Sequence, residues 1–117
     1  RDAWKYLSLS NSARIIVLVS MSGKRSKGNL ASYSMSKFAL MSLCQTMRNE
    51  GWSKGIRVTS ICPGWVNTDM AKEINQFPKI DMTQPDDIAN ICSNLLSLPN
   101  SSVPFEIAIN CQLETTN

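Results

Sequence analysis

Two runs of β-branched residues, 14–20 (RIIVLVS) and 56–62 (IRVTSIC), stand on either side of a long stretch with helical character. Neither run alternates apolar with polar residues. A strand of that kind is covered on both faces, which is the signature of a parallel sheet. Two parallel strands cannot be joined by a hairpin, so the segment between them must cross over, and a helix is the usual way. A third, weaker run follows at 105–110 (FEIAIN).

The crossover segment, 30–50, carries apolar residues almost all round: Leu30, Met35, Phe38, Leu40, Met41, Leu43, Cys44 and Met47. A helix patterned in this way is buried on more than one side. One side is expected to pack on the sheet, and the other calls for a further partner. Gly51 or Gly55 supplies the C-cap. A second helix is expected from Pro85, with Asp86 and Asp87 at its positive end. Ile88, Ile91, Cys92, Leu95 and Leu96 keep the spacing of one buried stripe. Residues 1–12 read as the tail of a helix, and 67–84 as irregular. The predicted order is therefore helix end, strand, helix, strand, loop, helix, strand, with right-handed crossovers. Three strands are few for such an α/β sheet, so the 117 residues read as part of a larger domain.

The 117 residues contain no histidine. Ser-His-Asp and Cys-His catalysis and the common zinc sites are thereby excluded within this sequence. Cys44, Cys62, Cys92 and Cys111 are widely spaced in apolar contexts and are expected to be buried free thiols, with no metal site. Twelve basic against nine acidic residues give a mild +3. The one basic cluster, Lys24, Arg25 and Lys27, has no interleaved aromatics, so a solvated loop is expected and no nucleic-acid partner. No apolar run spans a bilayer and the first residues lack a signal-peptide core, so a cytoplasmic protein without membrane contact is expected.

Proton chemistry in such a chain falls to Tyr, Lys, Asp or Glu. In the stretch YSMSK, Tyr33 and Lys37 stand four residues apart and share a helical face. An ammonium beside a phenol favours the phenolate, and so makes the pair a candidate acid/base. By itself the spacing is weak evidence and fits better a packed tyrosine with a snorkelling lysine. The surroundings favour chemistry: Ser20 ends the first strand, and a Pro63-Gly64 turn closes the second. Both fall at the carboxyl ends of strands, where open α/β sheets bind their ligands, and Gly64 admits close approach to the backbone.

The stretches RIIVLVSMSG, YSMSK, GIRVTSICPGWVNTDM and TQPDDIANICSNLLSL, in this order and spacing, resemble the short-chain dehydrogenase/reductase family, and the resemblance extends to about Ile109. A carbonyl-reductase-like member is implied, with residues 1–117 as the C-terminal half of one NAD(P)-binding, Rossmann-like, doubly wound parallel sheet. The resemblance implies that Tyr33 exchanges a proton with a carbonyl or alcohol oxygen. Lys37 would hold the nicotinamide-ribose hydroxyls and ease the loss of the Tyr33 proton. Ser20 would hydrogen-bond the substrate oxygen; Ser22 has the wrong spacing for that role. Pro63, Gly64, Trp65, Val66 and Thr68 would position the nicotinamide carboxamide and nearby phosphate, although Trp65 is as easily a packing residue. Residues 69–84 would form a lid over a small carbonyl or alcohol substrate.

Several family features are absent from these residues. There is no glycine-rich phosphate loop: the five glycines, at 23, 28, 51, 55 and 64, contain no Gly-x-Gly. Gly23 to Gly28 imitates a P-loop but continues Asn29-Leu30. The residue that selects NAD or NADP and the family's active-site asparagine are also missing, so the cofactor preference lies outside the sequence. The end, INCQLETTN, lacks the family's glycine pair, and the resemblance places no site residue there. It also implies a homodimer or tetramer through helix 30–50. The alternative is a catalytically inactive fragment or scaffold that keeps the fold and that surface.

Overall fold

The computed structural model describes residues 2–21, 31–69 and 78–114. Its elements follow in the order α1 (Asp2–Ser10), β1 (Ala13–Leu18), α2 (Ala31–Gly51), β2 (Ile56–Pro63), α3 (Pro85–Leu96) and β3 (Glu106–Ile109). Short 3-10 turns, Trp52–Lys54 and Lys79–Asp81, precede β2 and α3. The sheet has the order β1-β2-β3 with both pairings parallel. Ala13 pairs with Ile56 and Leu18 with Ile61, while Ser60 pairs with Glu106 and Pro63 with Ile109. The α/β class and the parallel sheet expected from the two unalternated runs are what the chain adopts.

Central position explains the composition of β2. Ile56, Val58 and Cys62 point into one cluster with Met41 and Cys44 of α2, Ala13, Val19 and Met21, with Trp4 and Leu7 of α1 packed against it. Thr59 and Ile61, on the other pleat face, are buried as well. With both faces dry, each of Ile56, Val58 and Ile61 contributes on the order of 1.5–3 kcal/mol by burial. Among the described residues no cysteine forms a disulfide; Cys44, Cys62 and Cys111 are buried, while Cys92 is only half-buried.

The structure corrects two of these expectations and narrows others. The first strand stops at Leu18 instead of reaching Ser20, although the Val19 amide still donates to the Ile61 carbonyl at 2.7 Å. The third occupies Glu106–Ile109 within the expected 105–110. The stripe on α3 fails at its end: Ile88 and Leu95 are buried, but Leu96 is 64% exposed. A row of i, i+4, i+8 positions drifts round a straight helix, and Leu96 has drifted off the covered side. On α2, one side is buried as expected, and Met35, Phe38 and Leu43 on the rest of its surface are 45–71% exposed. Of the two cap candidates, Gly51 stays right-handed and Gly55 takes the left-handed turn, with φ +74°.

Candidate active site

Helix α2 returns antiparallel to the strands. At 21 residues it is about 31 Å long, and β2, with eight, is about 26 Å. Since the helix C-terminus joins the start of β2 through one short turn, its first turns must lie at the carboxyl edge of the sheet. A contact fixes the level: the Cys62 thiol reaches the Met41 sulfur at 3.8 Å. Lys37 lies one helical turn beyond Met41 and Tyr33 one turn beyond that. Both therefore project past the end of β2, level with the turn that begins at Pro63.

The structure brings Tyr33 and Lys37 together. The Lys37 Nζ lies 5.5 Å from the centroid of the Tyr33 ring, and both side chains are half-buried. The Ser36 hydroxyl donates to the Tyr33 carbonyl at 2.7 Å, a back-bond within the same turn. Ser20 lies two residues past β1, half-buried, on the same edge of the sheet. Its position beyond the strand follows from β1 ending at Leu18.

The segment after β2 is held on two sides. The Gly64 amide donates to the Ile109 carbonyl at 2.7 Å, which continues the ladder to β3. Further along, the Thr83 amide donates to the Trp65 carbonyl at 3.1 Å and the Asn67 amide to the Thr83 carbonyl at 2.9 Å, with Val66 and Thr83 forming a parallel bridge. The Asn67 side chain donates to Gln84 Oε1 at 3.1 Å, and the Gln84 amide group donates in turn to the carbonyls of Met82 and Lys79. The Thr68 hydroxyl is exposed, 3.5 Å from the Val66 carbonyl. Trp65 is half-buried, as are Pro63, Gly64 and Val66. Of the expected lid, 70–77 lie outside the described residues, as do Ser22 and the basic cluster Lys24, Arg25 and Lys27.

Sequence reasoning missed Glu114. Its Oε1 accepts from the Trp65 amide and its Oε2 from the Cys111 amide, each at 3.1 Å. The carboxylate lies directly over Gly64, where even an added methyl group would collide with it. A lone glutamate in an aperiodic tail gives no sequence signal of this contact. Asn67, Thr83 and Gln84, which brace the turn, were equally silent, because their partners across it are 16 to 18 positions away and only the fold joins them.

The residues at this edge suit a nicotinamide. Backbone N–H groups face an oxygen acceptor above a glycine, as a carboxamide needs, and an ammonium stands beside a phenol where a ribose and a reacting oxygen could lie.

Residues 1–79 match the sequence model of the short chain dehydrogenase family. The chain is 36% identical over 110 residues to the agropine synthesis reductase of Rhizobium rhizogenes, an alignment covering 94% of this chain and 26% of that protein. A betaketoacyl-[ACP] reductase from Bacteroides thetaiotaomicron superposes on 92% of this chain and 44% of its own, with a TM-score of 0.76 at 33% identity. A 4-hydroxyisoleucine dehydrogenase solved in complex with NADH superposes on 100% of this chain and 53% of its own, with a TM-score of 0.79 at 26% identity. The chain thus spans about a quarter of the first relative and about half of the two solved enzymes. The three-stranded sheet is part of a Rossmann-type fold. From the match over 1–79 and these likenesses, the chain belongs to the short-chain dehydrogenase family.

Proposed function

We propose that this chain carries the proton-transfer half of an NAD(P)-dependent oxidoreductase that interconverts a carbonyl and a secondary alcohol. The observation that carries the reading is the pairing of Lys37 with Tyr33 in the first turns of α2, at the carboxyl edge of the sheet. Bound nicotinamide supplies or accepts the hydride. The Tyr33 hydroxyl donates its proton to the carbonyl oxygen, or its phenolate removes the alcohol proton in reverse. The Lys37 ammonium steadies the phenolate by charge and holds the ribose hydroxyls. The Ser20 hydroxyl holds the substrate oxygen. Pro63, Gly64, Trp65, Val66 and Thr68 seat the carboxamide and the adjoining phosphate. Relatives that are reductases, and a neighbour solved with NADH, support the reaction class and the cofactor class.

Residues 1–117 then form the C-terminal half of one dinucleotide-binding domain. The free side of β1, unpaired among the described residues, is where a strand of the other half would join. The adenine end of the cofactor, and the choice between NAD and NADP, belong to that half, so these residues alone should turn over little. The outward apolar residues of α2, with Tyr6 and Leu9 exposed on α1, support a dimer or tetramer through this face.

Oxidation of NADH and NADPH by the whole protein, over a panel of aldehydes and ketones, tests the reading. Tyr33→Phe should keep the fold, by circular dichroism, and lose about 10²–10⁴-fold in turnover. An unchanged rate removes Tyr33 from the chemistry.

A further inference from the structure

The residues after β3 close on themselves and on the candidate site. The Glu114 amide donates to the Cys111 carbonyl at 3.0 Å, and the Cys111 amide donates back to the Glu114 carboxylate at 3.1 Å. This reciprocal pair locks 111–114 into a tight turn that aims the carboxylate at one place. That place is the backbone of the Pro63-Gly64-Trp65 turn, where the second oxygen takes the Trp65 amide at 3.1 Å. Two backbone donors converging on a carboxylate, above a glycine with no side chain to obstruct it, make a seat for a small planar oxyanion or amide. The seat is filled, and the occupant belongs to the chain itself.

Little else holds that occupant down. Cys111 is buried, but Gln112 and Leu113 are exposed, and a further tie among the described residues is a 2.6 Å hydrogen bond from the Gln112 amide to the Asp81 carboxylate. Polar contacts of this kind exchange with water when they open, which lowers the cost of lifting 112–114 away.

We propose that the Trp65 and Cys111 amides form a carboxylate- and carboxamide-binding seat that Glu114 fills in the free protein, so that the C-terminal turn competes with the cofactor for the Trp65 N–H. The second half of this statement rests on the reading that the turn receives the nicotinamide. The carboxylate obstructs in two ways. It uses up the donor that a carboxamide oxygen needs, and it sets a negative charge where an anionic dinucleotide must approach.

Two measurements on the whole protein decide it. In the first, cofactor affinity is followed by the fluorescence of bound NADH or NADPH. Glu114→Ala should lower Kd about tenfold, equivalent to about 1.4 kcal/mol. Glu114→Gln, which keeps the shape and loses the charge, should fall between. Added acetate should weaken cofactor binding to Glu114→Ala and leave the native protein unaffected. An unchanged or raised Kd in Glu114→Ala overturns the competition. In the second, acetate is titrated into 15N-labelled protein. It should move the Trp65 and Cys111 amide resonances of Glu114→Ala but not those of the native protein. Resonances that stay fixed in Glu114→Ala overturn the seat. A protein that binds neither nucleotide in any variant defeats the oxidoreductase reading instead, and the acetate titration still decides the seat.

Discussion

At Gly55 the chain leaves its 3-10 turn with φ +74°, and its α-carbon lies so close to Asn11 that an added methyl would strike that residue's carbonyl. Both the dihedral and the space exclude a side chain. The same glycine places its carbonyl to accept from the Ala13 amide at 3.1 Å and from the Asn100 side chain at 3.1 Å, so it sets the register in which β2 enters beside β1. Gly55→Ala should therefore cost more than about 1–3 kcal/mol of stability, read as a lowered urea midpoint. The sequence offered Gly51 and Gly55 as equal candidates. Only the positions of Asn11 and Asn100, some 45 residues away on either side, single out Gly55. Tyr33 and Lys37 are the opposite case. Their approach is written into helical spacing, so no distant contact was needed to foresee it.

Among the elements, β2 and α2 were the most legible, because uninterrupted burial leaves a composition that little else produces. The loop from Leu98 to Phe105 was illegible. Three arginines from three elements hold it by its backbone: Arg14 of β1 donates to the carbonyls of Leu98, Pro99 and Ser102, Arg57 of β2 to that of Asn100, and Arg48 of α2 to that of Phe105 at 3.0 Å. Arg48 also lies over the Phe105 ring, 4.4 Å from its centroid, and Arg57 over Trp52 at 3.8 Å, while the two rings meet edge to face. A charged side chain in a helix reads as a solvated one, yet Arg48 is buried. Its planar fork bonds a carbonyl while its face stacks on an aromatic ring, which a lysine cannot do. Arg48→Ala should cost about 2 kcal/mol through the lost hydrogen bond and stacking, and Arg48→Lys should restore little of it. Thermal denaturation of both variants measures the difference. Equal stability of Arg48→Lys and the native protein would mean that charge alone suffices.

For the molecule as a whole, the outward side of α2 sets the next question. Phe38 is 45% and Met35 71% exposed, on a helix whose other side is in the core. The proposed dimer would cover both. Phe38→Glu would then place a charge in a dry interface, and light scattering should show the particle mass falling towards that of one subunit at micromolar concentration. A mass unchanged from the native protein would put the contact elsewhere. The same substitution should leave the Tyr33 and Lys37 pair in place, since Phe38 is not part of the buried cluster between α2 and the sheet.

The residues alone settled the class of the fold and the order of its elements, and they singled out the two side chains proposed to carry the proton. Each of these follows from local periodicity: two unalternated runs require a parallel sheet, a parallel sheet requires crossovers, and a four-residue spacing on one crossover helix pairs two side chains. The Glu114 carboxylate over Gly64, the bracing of Trp65 by Thr83, and the arginine hold on residues 98–105 follow from no such rule. They join backbone groups to side chains across tens of residues, and a backbone amide or carbonyl has no identity in the sequence by which its distant partner could be read. Folding chooses those partners, because a buried polar group must be satisfied by whatever the surrounding elements bring within reach.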